Sequence, residues 1–250
     1  MLSAYDRNED DVVAWEVTRD QAPFFCPECG ESVVVKKGQF KIHHFAHLPD
    51  SACTYGVGES EEHRQAKYQI YEALSQHASV KSLKVERNLR DVRPDVSFCW
   101  QGEHEVAVEL QISAISPGEV ARRTRSYTAK NMSMLWITPY HRRVSGLIPY
   151  RTRVWERYLH ALYFGKIYYW IAGEELLPVH FERYSLGTVS REWYDESKQG
   201  FCWKEFEQFS PSLRNLRFGD TVRITDMKTA WRPFRQVGQF TLPRARLWTL

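Results

Sequence analysis

Residues 93–111 read RPDVSFCWQGEHEVAVELQ, and this stretch decides the fold of the middle of the chain. Alternating apolar residues on both sides of Gly102 predict two antiparallel strands joined by a short turn. If the turn is centred near Gly102, residue 95 lies opposite 109, residue 97 opposite 107, and residue 99 opposite 105. Side chains on one sheet face recur every second residue, so we expect Asp95 and Glu109 to face each other.

Two opposed carboxylates predict a cation between them. Like charges directly opposite each other destabilise a sheet, and one of the two acids must otherwise hold a proton. Mg²⁺ is typically bound by one or two carboxylates together with phosphate oxygens. We therefore expect Asp95 and Glu109 to bind Mg²⁺ or Mn²⁺ in a site for phosphodiester cleavage.

The flanking residues predict helices and strands around this hairpin. Ser60 is a typical helix cap, and the inward stripe of the helix that follows begins with Glu59, Glu62 and His63. We expect Glu62, with Glu59 as a second acid, to line a polar site there; the alternative is helix fraying at residue 59 and an ordinary exposed first turn. The remaining predicted elements are strands at 83–87, 93–100 and 105–112, a helix from Ser116 to near Asn131, and a strand at 132–138. This αβββαβ order implies a right-handed crossover between parallel strands.

Cysteine and histidine residues cluster near the start of the chain. Cys26 and Cys29 have the spacing of a metal-binding knuckle, and the later ligands would be Cys53 and a histidine. If residues 44–47 are extended, His44 and His47 point to opposite sides of the strand and cannot both reach one ion. The preferred set is Cys26, Cys29, His47 and Cys53, with His44 as the alternative. Four protein ligands leave no open position, so we expect a structural Zn²⁺.

Composition narrows the classes of protein that this chain can be. The 250 residues are 43% hydrophobic, enough for one large core, and hold no apolar stretch of membrane-spanning length. The polar start of the chain does not resemble a secretion signal, and we expect a cytoplasmic protein. Between Arg122 and Lys166 ten basic residues stand against the single acid Glu156. Such an asymmetry attracts polyanions, although a solvated basic face is the alternative.

Several short motifs occur together in an order that identifies a family resemblance. They are Cys26–Cys29, His44–His47, Glu62–Lys67, Pro94–Asp95, Glu109–Gln111 and Arg123–Tyr127. Over residues 23–138 the chain resembles the PD-(D/E)xK nuclease superfamily and, within it, the competence protein CoiA-like family. The resemblance implies an α/β chain with a zinc-ribbon-like module at 1–57, a restriction-endonuclease-like αβββαβ core at 58–145, and an aromatic-rich, basic extension at 146–250 of unknown role.

The resemblance also assigns roles to single residues. Gln111 occupies the position that is usually lysine in the superfamily, and a neutral amide cannot stabilise developing negative charge as an ammonium does. Lys67 or Arg123 could supply the missing positive charge. The expected catalytic set is Asp95, Glu109, Gln111 and Glu62, supported by His63, Lys67, Arg123 and Tyr127. The expected DNA-binding residues are Arg122, Arg123, Arg125 and Lys130.

The expected function is a metal-dependent DNA nuclease that processes internalised or foreign DNA in transformation, recombination or phage defence. Gln111 motivates one alternative, a non-catalytic DNA-binding protein on a decayed nuclease fold. A second alternative is a zinc-containing adaptor for a helicase or recombination protein. The sequence leaves the oligomeric state open, with a homodimer among the choices, and predicts no membrane partner.

Overall fold

The computed structural model describes residues 1–250, and its first sheet is small and antiparallel. The strand order is β2-β1-β3-β4-β5. The strands are β1 Ser3–Tyr5, β2 Asp11–Val13, β3 Phe24–Phe25, β4 Ser32–Lys36 and β5 His44–His47, with a 3-10 turn at Arg19–Gln21. This sheet has a small hydrophobic core, separate from that of the rest of the chain. Phe24 and Phe45 are buried in it, with their ring centroids 5.2 Å apart. We call residues 1–57 the N-terminal module.

The middle of the chain has the predicted αβββαβ order. The elements are α1 Glu61–Ser75, β6 Val80–Val85, β7 Val96–Trp100, β8 His104–Leu110, α2 Pro117–Ala129 and β9 Ser133–Pro139. Strands β6, β7 and β8 are antiparallel neighbours, and α2 crosses from β8 to the parallel strand β9. The bounds of the predicted strands differ from the observed ones by at most three residues. The largest differences are at the starts of two strands: β6 begins three residues earlier than predicted, and β7 begins three residues later. We call residues 58–145 the αβ unit.

Both helices of the αβ unit begin where their capping residues predict. The Ser60 hydroxyl accepts the backbone N–H of His63 at 3.2 Å, and the Ser116 hydroxyl accepts that of Glu119 at 3.1 Å. Pro117 occupies the first turn of α2, where its missing N–H costs no hydrogen bond. Local sequence thus determines where α1 and α2 start.

The hairpin register is confirmed. Ser97 pairs with Ala107 and Cys99 with Glu105, so the same register places Asp95 opposite Glu109. At the turn, Gly102 has a φ of 75°. A glycine adopts this left-handed conformation without steric cost, which lets the chain reverse there. Residues 93–111 therefore fold as their alternation of apolar and polar residues predicts.

Residues beyond 146 continue the sheet of the αβ unit. Strand β11 pairs in parallel with β9, and the main sheet runs in the order β10-β13-β12-β11-β9-β8-β7-β6. One core of 37 buried residues extends across both parts of the chain. The later elements are β10 Tyr150–Arg151, α3 Val154–Leu162, β11 Ile167–Ala172, β12 Glu175–Asp195, β13 Gly200–Phe218, β14 Val222–Arg223, a 3-10 turn Ile224–Asp226, β15 Lys228–Arg232, β16 Arg235–Val237, β17 Phe240–Leu242 and β18 Ala245–Thr249.

Strands β12 and β13 extend past the sheet as a two-stranded ribbon. Most residues between 185 and 208 are exposed, on both faces of the ribbon. Phe201 and Trp203 near its tip are 72% and 69% exposed, respectively. This part of the chain therefore buries little apolar surface. None of the helices combines the length and the apolar character that crossing a bilayer requires.

Candidate nuclease site

Asp95 and Glu109 lie at the open end of the β7–β8 hairpin. Asp95 directly precedes β7, and its Oδ2 atom accepts the backbone N–H of Leu110 at 2.8 Å. Glu109 lies in β8 and is only 3% exposed. This hydrogen bond ties the loop before β7 to the end of β8 and so fixes one carboxylate against the strand that carries the other.

The two carboxyl groups titrate in opposite directions. Burial raises the pKa of Glu109 to about 8, and the charge of Asp95 adds to the increase, although Arg123 opposes it. Burial also acts to raise the pKa of Asp95, but His63, Lys67 and the Leu110 N–H together hold that pKa below its usual value. This splitting is what two facing acids require when no cation lies between them.

Arg123 and Tyr127 of α2 cover Glu109. The Tyr127 hydroxyl donates to Glu109 Oε1 at 2.5 Å, and the Arg123 guanidinium forms an ion pair with the same oxygen. The Arg123 guanidinium also lies 5.3 Å from the ring centre of Trp136. Both contacts use Oε1, so Oε2 has no hydrogen-bond partner in the protein. The resemblance assigned Arg123 and Tyr127 to this site, and the structure places them there.

Lys67 forms a buried charge network with three carboxylates. Its ammonium forms ion pairs with Glu59 and Glu86 and lies 3.8 Å from Asp95 Oδ1. Burial alone would lower the pKa of Lys67, but Glu86, Asp95 and Glu59 raise it above the ordinary value. Its charge is therefore already shared among these acids.

Glu86 is a member of this network that sequence reasoning missed. Its Oε2 atom accepts the backbone N–H of Leu2 and the hydroxyl of Tyr55, each at 2.7 Å. The alternation of β6 predicts that residue 86 points away from Val85, toward solvent. A φ of 54° ends that alternation and turns the carboxylate into the protein. No pattern in the sequence signals this change.

The predicted inward position of Glu62 is wrong. Glu62 is exposed in the first turn of α1, and its carboxylate forms no hydrogen bond or ion pair. Glu59, just before the helix cap, contributes the acid instead because the chain turns there toward Lys67 and His63. His63 lies where the helix pattern predicted, with Nε2 3.2 Å from Asp95 Oδ1 and Nδ1 3.5 Å from Glu59 Oε1.

Gln111 is held by its own loop. Its side-chain amide donates to the carbonyl oxygen of Ser113 at 2.6 Å, and its backbone N–H donates to Ile137. The residue is buried. A glutamine bound in this way anchors the segment after β8, and it places no positive charge beside Asp95 or Glu109.

A cleft of about 330 Å³ opens onto Asp95 between the N-terminal module and the αβ unit. Its walls are formed by the loop at the end of the N-terminal module and by mostly charged residues of the αβ unit: Tyr55–Glu59, His63, Lys67, Glu86 and Arg93–Asp95. Glu109 does not line this cleft, consistent with its cover of Arg123 and Tyr127. Asp95 is thus the accessible carboxylate of the pair.

Arg93 joins the N-terminal module to the loop that carries Asp95. Its guanidinium lies 2.5 Å from Glu28 and stacks 4.0 Å from the ring centre of Tyr55. Glu28 sits between Cys26 and Cys29, so the cysteine knuckle contacts the residue two positions before Asp95. The candidate site is therefore built by both parts of the chain.

The structure brings together the preferred set of cysteine and histidine ligands. The ligand atoms of Cys26, Cys29, His47 and Cys53 all lie within 4.8 Å of one another, a spacing compatible with a tetrahedral zinc site. His44 belongs to the extended strand β5 and bonds the carbonyl of Ile42, so it takes no part in the cluster. Burial raises the pKa of the Cys26 thiol to about 11, so metal binding would release its proton.

Most of the predicted DNA-binding residues have carboxylate partners. Arg122 pairs with Glu119 at 2.6 Å, Lys130 pairs with Asp91 at 2.5 Å, and Arg123 pairs with Glu109. Arg125 is exposed and has no ion pair. The positive charge of these predicted DNA-binding residues, Arg125 excepted, is therefore neutralised within the chain.

Comparisons with known proteins identify the family of the chain. Residues 8–56 match the model of the competence protein CoiA N-terminal domain, and residues 59–147 match that of the CoiA nuclease-like domain. The chain is 34% identical over 120 residues to competence protein CoiA of Bacillus subtilis (strain 168), an alignment that covers 48% of this chain and 32% of the relative. No solved structure matches the chain. With both domain models matched in succession, the chain belongs to the CoiA family of competence proteins.

Proposed function

We propose that this chain is a metal-dependent deoxyribonuclease whose site is built on Asp95 and Glu109. The observation that carries the proposal is the geometry of two opposed carboxyl groups, Glu109 buried in β8 and Asp95 at an open cleft, each held by hydrogen bonds. A divalent cation between two carboxylates removes the repulsion that otherwise forces one of them to hold a proton. Carboxylate oxygens are also the ligands that Mg²⁺ and Mn²⁺ prefer. The nuclease-like family model and the PD-(D/E)xK resemblance support the same reading.

Asp95 Oδ1 and Glu109 Oε2 are the oxygens that would hold the cation. Asp95 Oδ2 accepts the Leu110 N–H, and Glu109 Oε1 accepts from Arg123 and Tyr127, so each acid is oriented through one oxygen. Asp95 Oδ1 faces His63 and Lys67 at the cleft. When bound, Mg²⁺ supplies Lewis-acid stabilisation of the charge that develops on a scissile phosphate.

The residues around the two carboxylates have different roles in the proposed site. Lys67 keeps Glu86 ionised, and its ion pairs with Glu59 and Glu86 hold the floor of the cleft together. His63 lies at the cleft within 3.2 Å of Asp95 and is the group best placed to accept a proton from an attacking water. Arg123 and Tyr127 orient Glu109. Gln111 anchors the strand end rather than the phosphate.

A cleavage assay tests the proposal. Linear duplex, circular duplex and single-stranded DNA are incubated with the full chain and Mg²⁺ or Mn²⁺, with EDTA as the no-metal control. We expect cleavage that EDTA, Glu109→Ala and Asp95→Asn each abolish. Glu105→Gln is the matched control, since Glu105 lies on the same strand and face but pairs with Arg87. Cleavage that survives Glu109→Ala would overturn the site assignment.

One observation favours a second candidate function, a DNA-binding protein that does not cleave. The position that is usually lysine holds Gln111, and Lys67 is fully engaged by carboxylates, so no free ammonium faces Asp95 and Glu109. In the same assay this candidate predicts DNA binding without Mg²⁺ or Mn²⁺ and intact DNA under every condition.

The cysteine cluster supports a structural role for Zn²⁺. Its four side chains would complete a tetrahedral sphere and leave no position for a substrate. Through Glu28 and Arg93 the same knuckle reaches the loop before Asp95. We infer that zinc stabilises the N-terminal module and, with it, one wall of the cleft.

A further inference from the structure

A cluster of three arginines lies far from the carboxylate pair, where β12 and β13 leave the main sheet. Arg183 in β12 stands directly opposite Arg214 in β13. Arg157 of α3 joins them, because its guanidinium and that of Arg214 both donate to the carbonyl oxygen of Pro211, at 2.8 and 3.2 Å. We call Arg157, Arg183 and Arg214 the arginine cluster.

None of the three arginines has a carboxylate partner in the chain. Glu182, next to Arg183, pairs with Arg217 at 2.8 Å. Glu156, near the start of α3, is buried and accepts the Tyr150 hydroxyl and the Arg153 N–H. The contrast with Arg122 and Lys130, which both have acidic partners, is direct. Positive charge without a carboxylate partner is therefore concentrated where α3, β12 and β13 meet, and one of the three residues, Arg157, belongs to the basic segment that the sequence indicated.

Such a cluster is unfavourable without an anion. Like charges directly opposite each other destabilise a sheet, and burial together with Arg157 and Arg183 lowers the pKa of Arg214. The side chains are nevertheless held in place: Arg214 donates to the carbonyls of Ser210 and Leu213 as well as Pro211. Each guanidinium has five N–H donors, so anchored arginines keep donors for a ligand.

We propose that the arginine cluster binds backbone phosphates of the DNA substrate at a position separate from the cleavage site; this inference rests on the proposed function. Arginine favours phosphate through planar, paired hydrogen bonds, and rigid donors lose little entropy on binding. Four strand steps separate β7, which Asp95 precedes, from β12 in the sheet, a lateral distance of about 19 Å. That spacing corresponds to about five or six base pairs along a duplex, so the cluster contacts a different phosphate from the one at Asp95.

DNA affinity measured without Mg²⁺ or Mn²⁺ tests the inference. Fluorescence anisotropy with a labelled duplex is recorded over a series of salt concentrations for the full chain and two triple variants. The cluster variant carries Arg157→Gln, Arg183→Gln and Arg214→Gln. The control variant removes the same formal charge from ion-paired residues outside the predicted DNA-binding set, with Lys84→Gln, Arg87→Gln and Arg217→Gln.

We expect the cluster variant to bind DNA at least about tenfold more weakly, and the slope of log affinity against log salt to shrink by about 2 to 3. The control variant is expected to stay within about threefold of the unsubstituted chain, because its cations are already neutralised. Equal weakening by the two variants, or unchanged affinity of the cluster variant, overturns the inference. Weakening that appears only with RNA overturns the assignment to DNA.

A single substitution guards against misfolding of the triple variant. The Arg183 side chain donates no hydrogen bond and contacts only the ring of Phe209, so Arg183→Glu leaves the carbonyl anchors intact. It is expected to weaken binding by itself, with an unchanged urea unfolding midpoint. A chain that binds DNA through the cluster yet never cleaves it refutes the proposed nuclease activity alone. A chain that cleaves DNA with the cluster variant unimpaired in binding refutes this inference alone.

Discussion

Replacing Lys67 by methionine tests whether the buried charge network holds the cleft together. The Lys67 side chain is 3% exposed and its partners Glu59 and Glu86 are 12% and 6% exposed, so solvent screens these charges weakly. Methionine is unbranched, nearly as long as lysine, and uncharged. Removing one partner of a buried ion pair typically costs about 3–5 kcal/mol because the other charge stays buried. We expect a loss of that size in the free energy of unfolding at pH 7.5.

The loss should depend on pH in a defined direction. Burial would raise the pKa of Glu86, but Lys67 and the amino-terminal charge hold it well below its ordinary value. The unsubstituted chain therefore gains stability from Glu86 above the pKa of the unfolded state and loses it as pH falls. Without Lys67, the effect of burial is larger and the pKa of Glu86 rises. Lowering the pH then protonates Glu86, which removes the unpaired buried charge and stabilises the variant. The difference between the two proteins should shrink between pH 7.5 and pH 5.

Urea unfolding followed by tryptophan fluorescence measures both effects. The matched control is Lys84→Met, which breaks an ion pair with Asp11 between side chains that are 39% and 38% exposed and should cost less than about 1 kcal/mol. Adding Glu86→Gln to Lys67→Met should restore part of the stability at pH 7.5. If Lys67→Met costs no more than Lys84→Met, or if its cost grows as pH falls, the network does not have the role described.

Three further predictions concern other parts of the chain. Purified protein should contain one zinc ion per chain by elemental analysis; Cys53→Ser should lose it while Cys202→Ser, outside the cluster, retains it. Burial lowers the pKa of His160 to about 4, and its Nε2 accepts the Phe181 N–H at 3.0 Å, so protonation opposes folding. Between pH 6.5 and 4 the unfolded chain binds more protons at this residue, and the stability advantage over His160→Gln, measured by urea unfolding, should fall by up to about 3 kcal/mol; a constant difference would contradict this. Replacing residues 188–207 by an Asn-Gly turn should change the free energy of unfolding by less than about 1 kcal/mol, because the ribbon buries little surface; a larger loss in calorimetry would show that it packs on a partner.

Patterns of short range were sufficient for the hairpin, the two helix starts and the cysteine cluster. The register of Asp95 against Glu109 follows from alternation and one glycine, and both caps follow from a serine before an apolar stripe. His47 rather than His44 follows from the two-residue period of an extended strand. In each case the interactions that decide the outcome join residues that are close in the sequence or within one short module.

Contacts between distant residues account for what the sequence did not predict. Glu86 reaches Lys67 only because a positive φ turns it inward, and Glu59 replaces Glu62 because the chain bends before the helix cap. The basic residues after Arg122 were counted correctly, but their pairing with Glu119 and Asp91 could not be read from a charge count. Electrostatic effects depend on separation and burial, and both are properties of the folded chain.

The sequence by itself determined the order αβββαβ, the opposed acids and the four metal-ligand candidates, because local periodicity, capping and spacing carry that information. Only the tertiary structure decided which acid stays ionised, which cations remain unpaired, and that the residues after 146 extend the same sheet. Desolvation and ion pairing arise when segments far apart in the chain are packed together. For the opposed pair, that packing makes Asp95 the anion at the cleft and Glu109 the buried acid that a cation would deprotonate.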